Sequence, residues 1–349
     1  VSRLDDTYEL VSIGSLSRHE AALASHVERT LRANPALEVE RVGDNVVART
    51  MGRHATRVLV AGHLDTVPGD ASAAAIVGDE LRGVGACDMK GSLAVMLALA
   101  TDETPRSLEV TWIFYAREEI ARSESGLVEL LELRPDLVRG DVAILAEPTG
   151  GVVEAGCQGS LRVRVAVTGR RAHTARPFTG RNAIHRIADV ISRVATYEPR
   201  RVELDGVEYC EQLQVVSVEG GVAPNVVPDA ASVTLNHRVA PDRSRDDAVN
   251  WLRSYVGELL EDGDDFSVLD WAPNCAPMLT NERLRSLVEL TGAPARGKVG
   301  WTDVATFHEL MIPATNFGAG DPLLAHRSDE MITREELERF ERVLREWLA

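Results

Sequence analysis

Seven acidic and imidazole side chains sit where apolar stretches of the chain run out. "RVLVAGHLDTVP" carries His63 and Asp65, and "GVGACDMKGS" carries Asp88. "VTWIFYAREE" carries Glu118 and Glu119, "VAILAEPTG" carries Glu147, and "FGAGDPLLAHRSDE" carries His326. Taken singly, none is distinctive. An Asp in a glycine-rich loop is usually a turn residue, a Glu before Pro a solvated strand end, and a lone His a surface group. Taken together, Asp88, Glu119 and Glu147 supply three carboxylates, and His63 and His326 two neutral imidazoles. That set suits two divalent cations, with one carboxylate bridging. The adjacent Glu118 and Glu119 repel each other, so they need open solvent or a strong local positive charge.

The stretches that position these residues fall into two styles. "RVLVAG" (57–62), "VTWIFYA" (110–116) and "VAILAE" (142–147) are short continuous apolar strands. Helical patterns at 18–33, 91–100 and 126–133 surround them. Such alternation predicts an α/β layer whose sheet is covered on both faces, and ligands then bind at the carboxyl ends of its strands. From about residue 160 the pattern changes. Leu161, Val163, Val165 and Val167 alternate with polar residues, as in a strand with one face exposed. "LQVVSV" (213–218) and "SVTLNHRV" (232–239) continue in that style, with helical patterns at 182–196 and 245–261. This predicts a compact α+β domain, an antiparallel sheet with two helices. The α/β style returns with a helix at 281–291, the strand-like "IPATNFG" and a last helix opening on "TREE", a capping box. The reading is therefore a catalytic domain of residues 1–159 and 273–349, with 160–272 inserted into it.

Length and composition agree. The 349 residues favour two domains, and 44% hydrophobic with 26% charged residues is a globular balance. A formal net charge of −16 disfavours nucleic acid and anionic membranes as partners. No apolar run approaches the roughly 20 residues of a membrane span, and "VSRLDDTYEL" lacks a signal-peptide pattern. Cys87, Cys157, Cys210 and Cys275 show no paired spacing, so they read as reduced thiols of a cytoplasmic protein.

The ordered set "GHLDTVP", "GVGACDMKGSLAVML", "AREEIARSESG", "LAEPTG" and "AHRSDE" resembles the co-catalytic zinc deacylases and exopeptidases along nearly the whole chain. Within that family, "EAGCQGSLRVRVAVTGRRAHTAR", "GGVAPNVVPDAASVTLNHRVAPDRS", "KVGWTDVATF" and "NFGAGDPLLAH" are most similar to the desuccinylase branch of high-GC Gram-positive bacteria. The resemblance implies a zinc-exopeptidase-like fold whose inserted domain is a lid or dimerisation domain, and a homodimer. It implies two Zn, with Co or Mn as substitutes: His63 and Glu147 on one ion, Glu119 and His326 on the other, Asp88 bridging. Asp65 would accept a hydrogen bond from the second nitrogen of His63 and fix its ring. Glu118 would be the general base and His173, in "RRAHTARP", an oxyanion donor. The Asp88–Met89 peptide would be cis.

Substrate recognition is read partly from charge. Residues 155–188 hold seven arginines, 162, 164, 170, 171, 176, 181 and 186, and no acid. That is either the solvated face of an alternating strand or a cationic wall for an anionic substrate. Arg162 and Arg176 are candidate substrate contacts on this ground. Arg238 and Asn225 follow from the resemblance, as contacts to substrate carboxylate and backbone, with Thr302 and Gly318–Gly320 as weaker candidates. The implied reaction is hydrolysis of N-succinyl-LL-2,6-diaminopimelate to succinate and LL-2,6-diaminopimelate, a step towards lysine and cell-wall precursors. One alternative is an N-acetylamino-acid deacetylase or aminoacylase of the same family. Another, of a different class, is a non-catalytic metal- or ligand-binding paralogue, which would have no need of Glu118.

Overall fold

The computed structural model describes residues 2–52, 54–104 and 106–349. Four parallel strands form the centre of its main sheet: Glu109–Tyr115, Arg57–His63, Val142–Leu145 and Ala314–Asn316, in that order. All seven residues of Glu109–Tyr115 are buried, as expected of a strand covered on both faces. Because the four run the same way, their carboxyl ends share one rim, and His63 stands in register with Tyr115. The antiparallel pair Leu37–Val42 and Asn45–Thr50 extends the sheet beyond Glu109–Tyr115, and Glu154–Ala155 extends it beyond Ala314–Asn316. The sheet is thus mixed.

The helix Gly91–Thr101 is apolar all round, and nearly every residue of it is buried. It lies close to the strand below. A Cβ on Gly62 would come within 2.6 Å of Met89 and 2.7 Å of Leu93, so the strand is bare at that point. The final helix, Arg334–Trp347, buries Leu337, Phe340, Val343, Leu344 and Trp347 along one stripe. Its capping box is formed as read: Thr333 accepts from the backbone of Glu336, whose carboxylate accepts from Thr333 N–H. The helix expected over 18–33 spans Ala21–Arg32. It starts late because Glu20 is used elsewhere, accepting the backbone N–H of Arg18 and of Arg117, each at 3.0 Å.

Chain contacts divide the molecule into Val1–Gly156, Pro277–Arg296 and Asp303–Ala349 on one side, and Cys157–Ala276 with Gly297–Thr302 on the other. The second unit holds an antiparallel sheet in the order Gln212–Gly220, Ala230–Val239, Gly159–Thr168, Asp265–Ala272. Leu161, Val163, Val165 and Val167 do share one buried face, against the helices Ala183–Ala195 and Arg245–Gly257. Sequence patterning had placed Gly297–Thr302 with the α/β part. Instead the segment packs with the insert: Gln158 N–H donates to Lys298 O at 3.2 Å, and Gly297 lies where a Cβ would be 2.5 Å from Glu208 O. Among the described residues no helix is long and apolar enough to cross a membrane.

Candidate metal centre

The strand Arg57–His63 delivers His63 to the rim with its side chain 1% exposed. Nε2 lies 3.1 Å from Asp88 Oδ1. Asp88 sits in the tight turn Ala86–Lys90 that opens the buried helix, and the Asp88–Met89 peptide is cis. Its other oxygen, Oδ2, lies 3.3 Å from His326 Nε2. His326 Nε2 in turn meets Glu119 Oε1 at 2.8 Å. One carboxylate therefore spans two imidazoles drawn from segments more than two hundred residues apart. The ligand atoms of His63, Asp88 and Glu119 all fall within 4.8 Å of one another. Glu147, just past the strand Val142–Leu145, is buried on the same rim, and its charge acts on both His63 and Glu118.

Electrostatics show how strongly this cluster draws positive charge. Burial alone would lower the pKa of His63, but the Asp65 and Asp88 carboxylates push it well above the usual imidazole range. Asp88 and Glu119 push His326 up to about 10, against a smaller opposing effect of burial. Asp88 resists the upward pull of its own burial and is held below the carboxylate range by the two histidines. Oxygen and imidazole donors that stabilise positive charge this way suit a pair of divalent cations. Zinc, cobalt and manganese all accept such a donor set.

The two adjacent acids are separated by backbone geometry. The strand Glu109–Tyr115 ends where Arg117 takes a left-handed conformation, φ 60°. The turn sends the N–H groups of Glu118 and Glu119 together onto one buried carboxylate. Glu118 N donates to Asp65 Oδ1 at 2.9 Å, and Glu119 N to Asp65 Oδ2 at 3.0 Å. Ser17 Oγ donates to the same Oδ2 at 2.7 Å. Glu119 then reaches His326, while the Glu118 carboxyl is pushed up by burial first, then by the charges of Glu147 and Glu119, with His63 opposing.

This corrects the expected role of Asp65. The hydrogen bond from His63 Nδ1 runs to the backbone carbonyl of Asp65 at 3.0 Å, whereas the carboxylate Oδ1 stands 3.6 Å away. At that distance it is an electrostatic neighbour, not a hydrogen-bond acceptor. The carboxylate holds the Glu118–Glu119 backbone, and the main chain orients the ring.

Two positioning groups went unassigned in the sequence. Glu330 Oε1 accepts the backbone N–H of Cys87 at 2.9 Å and of Asp88 at 3.0 Å, tying the bridging loop to the His326 segment. It ends the quoted "AHRSDE", so proximity to His326 was the available signal. Asp303, in "KVGWTDVATF", is buried behind Tyr115 and Glu118. It accepts Thr306 Oγ1 at 2.7 Å, and burial raises its pKa. Nothing local distinguishes it from a surface helix cap.

The remaining candidates belong to the second unit. His173 is exposed, and its Nδ1 accepts Ala175 N–H at 3.0 Å, which leaves Nε2 as the protonated, donating nitrogen. Arg176 and Asn225 are exposed in neighbouring loops: Arg176 N donates to His173 O at 2.7 Å, and Thr174 N to Asn225 O at 3.1 Å. Arg238 is half-buried, desolvation lowers its pKa, and no acid pairs with it among the described residues. Thr302 is buried, with its carbonyl 3.7 Å from Cys157 Sγ. Arg162, by contrast, is ion-paired to Asp270 at 2.8 Å. Arg171, Arg181 and Arg186 are likewise tied to Asp229, Glu261 and Asp264. The cationic wall read from residues 155–188 is thus substantially neutralised by acids that arrive from later in the chain.

Comparison with known proteins follows the geometry. The sequence pattern described as "Peptidase family M20/M25/M40" matches residues 59–349. A Mycobacterium tuberculosis protein provisionally named succinyl-diaminopimelate desuccinylase DapE is 47% identical over 330 residues, covering 93% of this chain and 92% of that protein. The succinyl-diaminopimelate desuccinylase of Corynebacterium glutamicum is 41% identical over 354 residues, covering 98% and 95%. Among solved structures, the aminopeptidase PepT of Bacillus cereus superposes with a TM-score of 0.78 at 18% identity, covering 99% of this chain and 97% of that one. That likeness speaks to the fold.

Proposed function

The chain belongs to peptidase family M20/M25/M40, and from that premise we propose that it is a metal-dependent amide hydrolase acting on N-succinyl-LL-2,6-diaminopimelate. The products are succinate and LL-2,6-diaminopimelate. The observation that carries the chemistry is the unbroken contact chain His63–Asp88–His326–Glu119 beside Glu118, whose backbone is anchored on Asp65. The substrate assignment is supported by the names of the two relatives at 47% and 41% identity.

His63 and Glu147 would hold one divalent cation, Glu119 and His326 a second, and Asp88 both. Bound there, such ions polarise an amide carbonyl and acidify a water. Glu118 takes a proton from the attacking water at a carboxylate oxygen and returns it to the leaving amine nitrogen. Asp65 keeps that carboxylate in place through the backbone. His173, with Nε2–H available, donates to the developing oxyanion, either within its own subunit or from a partner. Arg238 and Asn225 bind the substrate's anionic groups, with Arg176 and Thr302 contributing.

The subunits associate as a homodimer through the second unit. Its edge strand Gln212–Gly220 exposes Val216 and Val218 by 57% and 54% beside an unpaired sheet edge, a surface that favours strand pairing. The protein works in the cytoplasm, in keeping with four free cysteines. A Val218→Lys variant that remains dimeric in light scattering would remove this edge from the interface.

The acetyl-amide reading keeps one observation in its favour, the neutralised arginines. Succinate release from the succinylated diamine, with and without chelator and added Zn²⁺, tests the proposal. Chelator-sensitive release is expected, faster than release of acetate from the acetyl analogue. Faster acetyl cleavage would overturn the acyl-group assignment, and absence of any turnover with both metals bound would favour a binding paralogue.

A further inference from the structure

Within the first unit, a groove of about 780 Å³ opens directly beside His326. Its size is that of a small-molecule site. The walls are the loop following Asp65, the strand end around Arg82, and the segment from His326 to Met331. Its charged lining carries both signs: Arg82 and Arg327 against Asp70 and Asp329. Glu330 also lines it but is committed to the backbone of Cys87 and Asp88.

Each arginine is paired with an acid two residues away and is more than half exposed to solvent. Arg82 donates Nε and Nη2 to Glu80 Oε2 at 3.2 and 2.8 Å, and Arg327 donates Nε and Nη2 to the two oxygens of Asp329 at 2.7 Å each. Their side chains are 59% and 56% exposed. Both pairs lie in solvent that screens them, so a ligand carboxylate can compete with the local acid for the guanidinium. A guanidinium fork accepts such a carboxylate in two parallel hydrogen bonds. Asp329, released from Arg327, can then accept an ammonium group together with Asp70, whose Oδ1 accepts Ser72 N at 2.9 Å and Ser72 Oγ at 2.6 Å. A groove offering both signs side by side matches a zwitterionic α-amino-acid head. A succinyl group matches it less well, because it could occupy the arginines but carries no cation for Asp70 and Asp329.

We propose that this groove receives the free α-amino-acid head of the leaving diamine, with Arg82 and Arg327 taking its distal carboxylate and Asp70 and Asp329 its ammonium. This rests on the reading of the centre as a hydrolase of N-succinyl-diaminopimelate, and assigns a direction to the substrate: the amine side lies along the His326 wall.

Two substrates isolate the contact. N-succinyl-LL-2,6-diaminopimelate and N-succinyl-L-lysine differ by the distal carboxylate alone. The ratio of their kcat/KM values is measured for the metal-loaded wild type and for Arg82→Gln, Arg327→Gln and the double variant. Loss of charge-assisted hydrogen bonds should lower the ratio about ten- to hundredfold in the double variant, chiefly through KM for the diaminopimelate substrate. Arg139→Gln, an exposed arginine outside the groove, should leave the ratio as it is. An unchanged ratio in the double variant, with the wild type cleaving the succinylated diamine, overturns the groove assignment and leaves the reaction standing. Failure of the wild type to cleave either succinyl amide overturns the reaction itself and the groove assignment with it.

Discussion

Replacing Asp65 by Asn separates anchoring of the two acids from orientation of His63. The carboxylate is fully buried and accepts three hydrogen bonds: Glu118 N on Oδ1, and Glu119 N and Ser17 Oγ on Oδ2. An amide keeps one acceptor oxygen and turns the other position into a donor. With the amide nitrogen at Oδ1, Glu118 N–H faces a donor. With it at Oδ2, Glu119 N–H does, while the Ser17 hydroxyl can rotate to accept. Either way at least one buried N–H loses its acceptor, at about 1–3 kcal/mol, and the surviving bonds lose charge assistance. A loss of roughly 2–4 kcal/mol in unfolding free energy follows. The Glu118–Glu119 turn relaxes, and a displacement near 1 Å at a reacting group costs about a hundredfold in rate. The hydrogen bond from His63 Nδ1 to the Asp65 carbonyl is untouched by the change. Metal affinity should therefore fall less than kcat. Urea unfolding, metal content and kcat at saturating metal are the measurements. The opposite pattern, weakened metal binding with near wild-type kcat once saturated, would show that the carboxylate works through the ligands His63 or Glu119 and not through Glu118, and would refute this reasoning.

Glu118→Gln should retain both metals by elemental analysis while kcat falls by about 10²–10⁴; full activity would remove Glu118 from the proton path. Asp264 is held below the carboxylate range because Arg186 and the N–H groups of Thr168 and Glu261 outweigh the upward pull of its burial. A depressed folded pKa stabilises above the unfolded value near 4 and is lost as pH falls below it. Asp264→Asn should thus be less stable at pH 7, by about 1–3 kcal/mol for the loss of the charge-assisted hydrogen bonds from Arg186 at a half-buried site. It should also show less additional loss than wild type between pH 4 and 2 in acid unfolding followed by circular dichroism. Gly318→Ala would set a Cβ 2.2 Å from Ala146 O and 2.4 Å from Glu147 O. Backbone must move to admit it, so about 1–3 kcal/mol of stability should be lost together with metal content. Unaltered metal content would show that the Glu147 turn absorbs the methyl elsewhere.

Much of this protein is decided by local pattern. Apolar runs that end in acids or histidines single out His63, Glu118, Glu119 and Glu147 as candidates, because strand ends of a parallel sheet share a rim, whereas Asp88 in the turn Ala86–Lys90 and His326 beyond the strand Ala314–Asn316 reach it only through the fold. Alternation at 161–167 marks the half-exposed strand, since the pleat places every second side chain on one face. The Thr333–Glu336 box closes within a single turn, so neighbouring residues suffice to read it. What local pattern cannot carry is the choice of partner across long loops. Asp65 stands two residues from His63, yet its carboxylate serves Glu118 and Glu119, more than fifty positions away. Glu330 reaches back to Cys87 and Asp88. Four of the seven arginines at 155–188 are paired with acids from Asp229 to Asp270. Gly297–Thr302 joins the inserted unit. In each case the residue's type was plain in the sequence, but a hydrogen bond or ion pair acts over about 3 Å of space. Only the folded chain determines which of many chemically equivalent groups arrives within that distance.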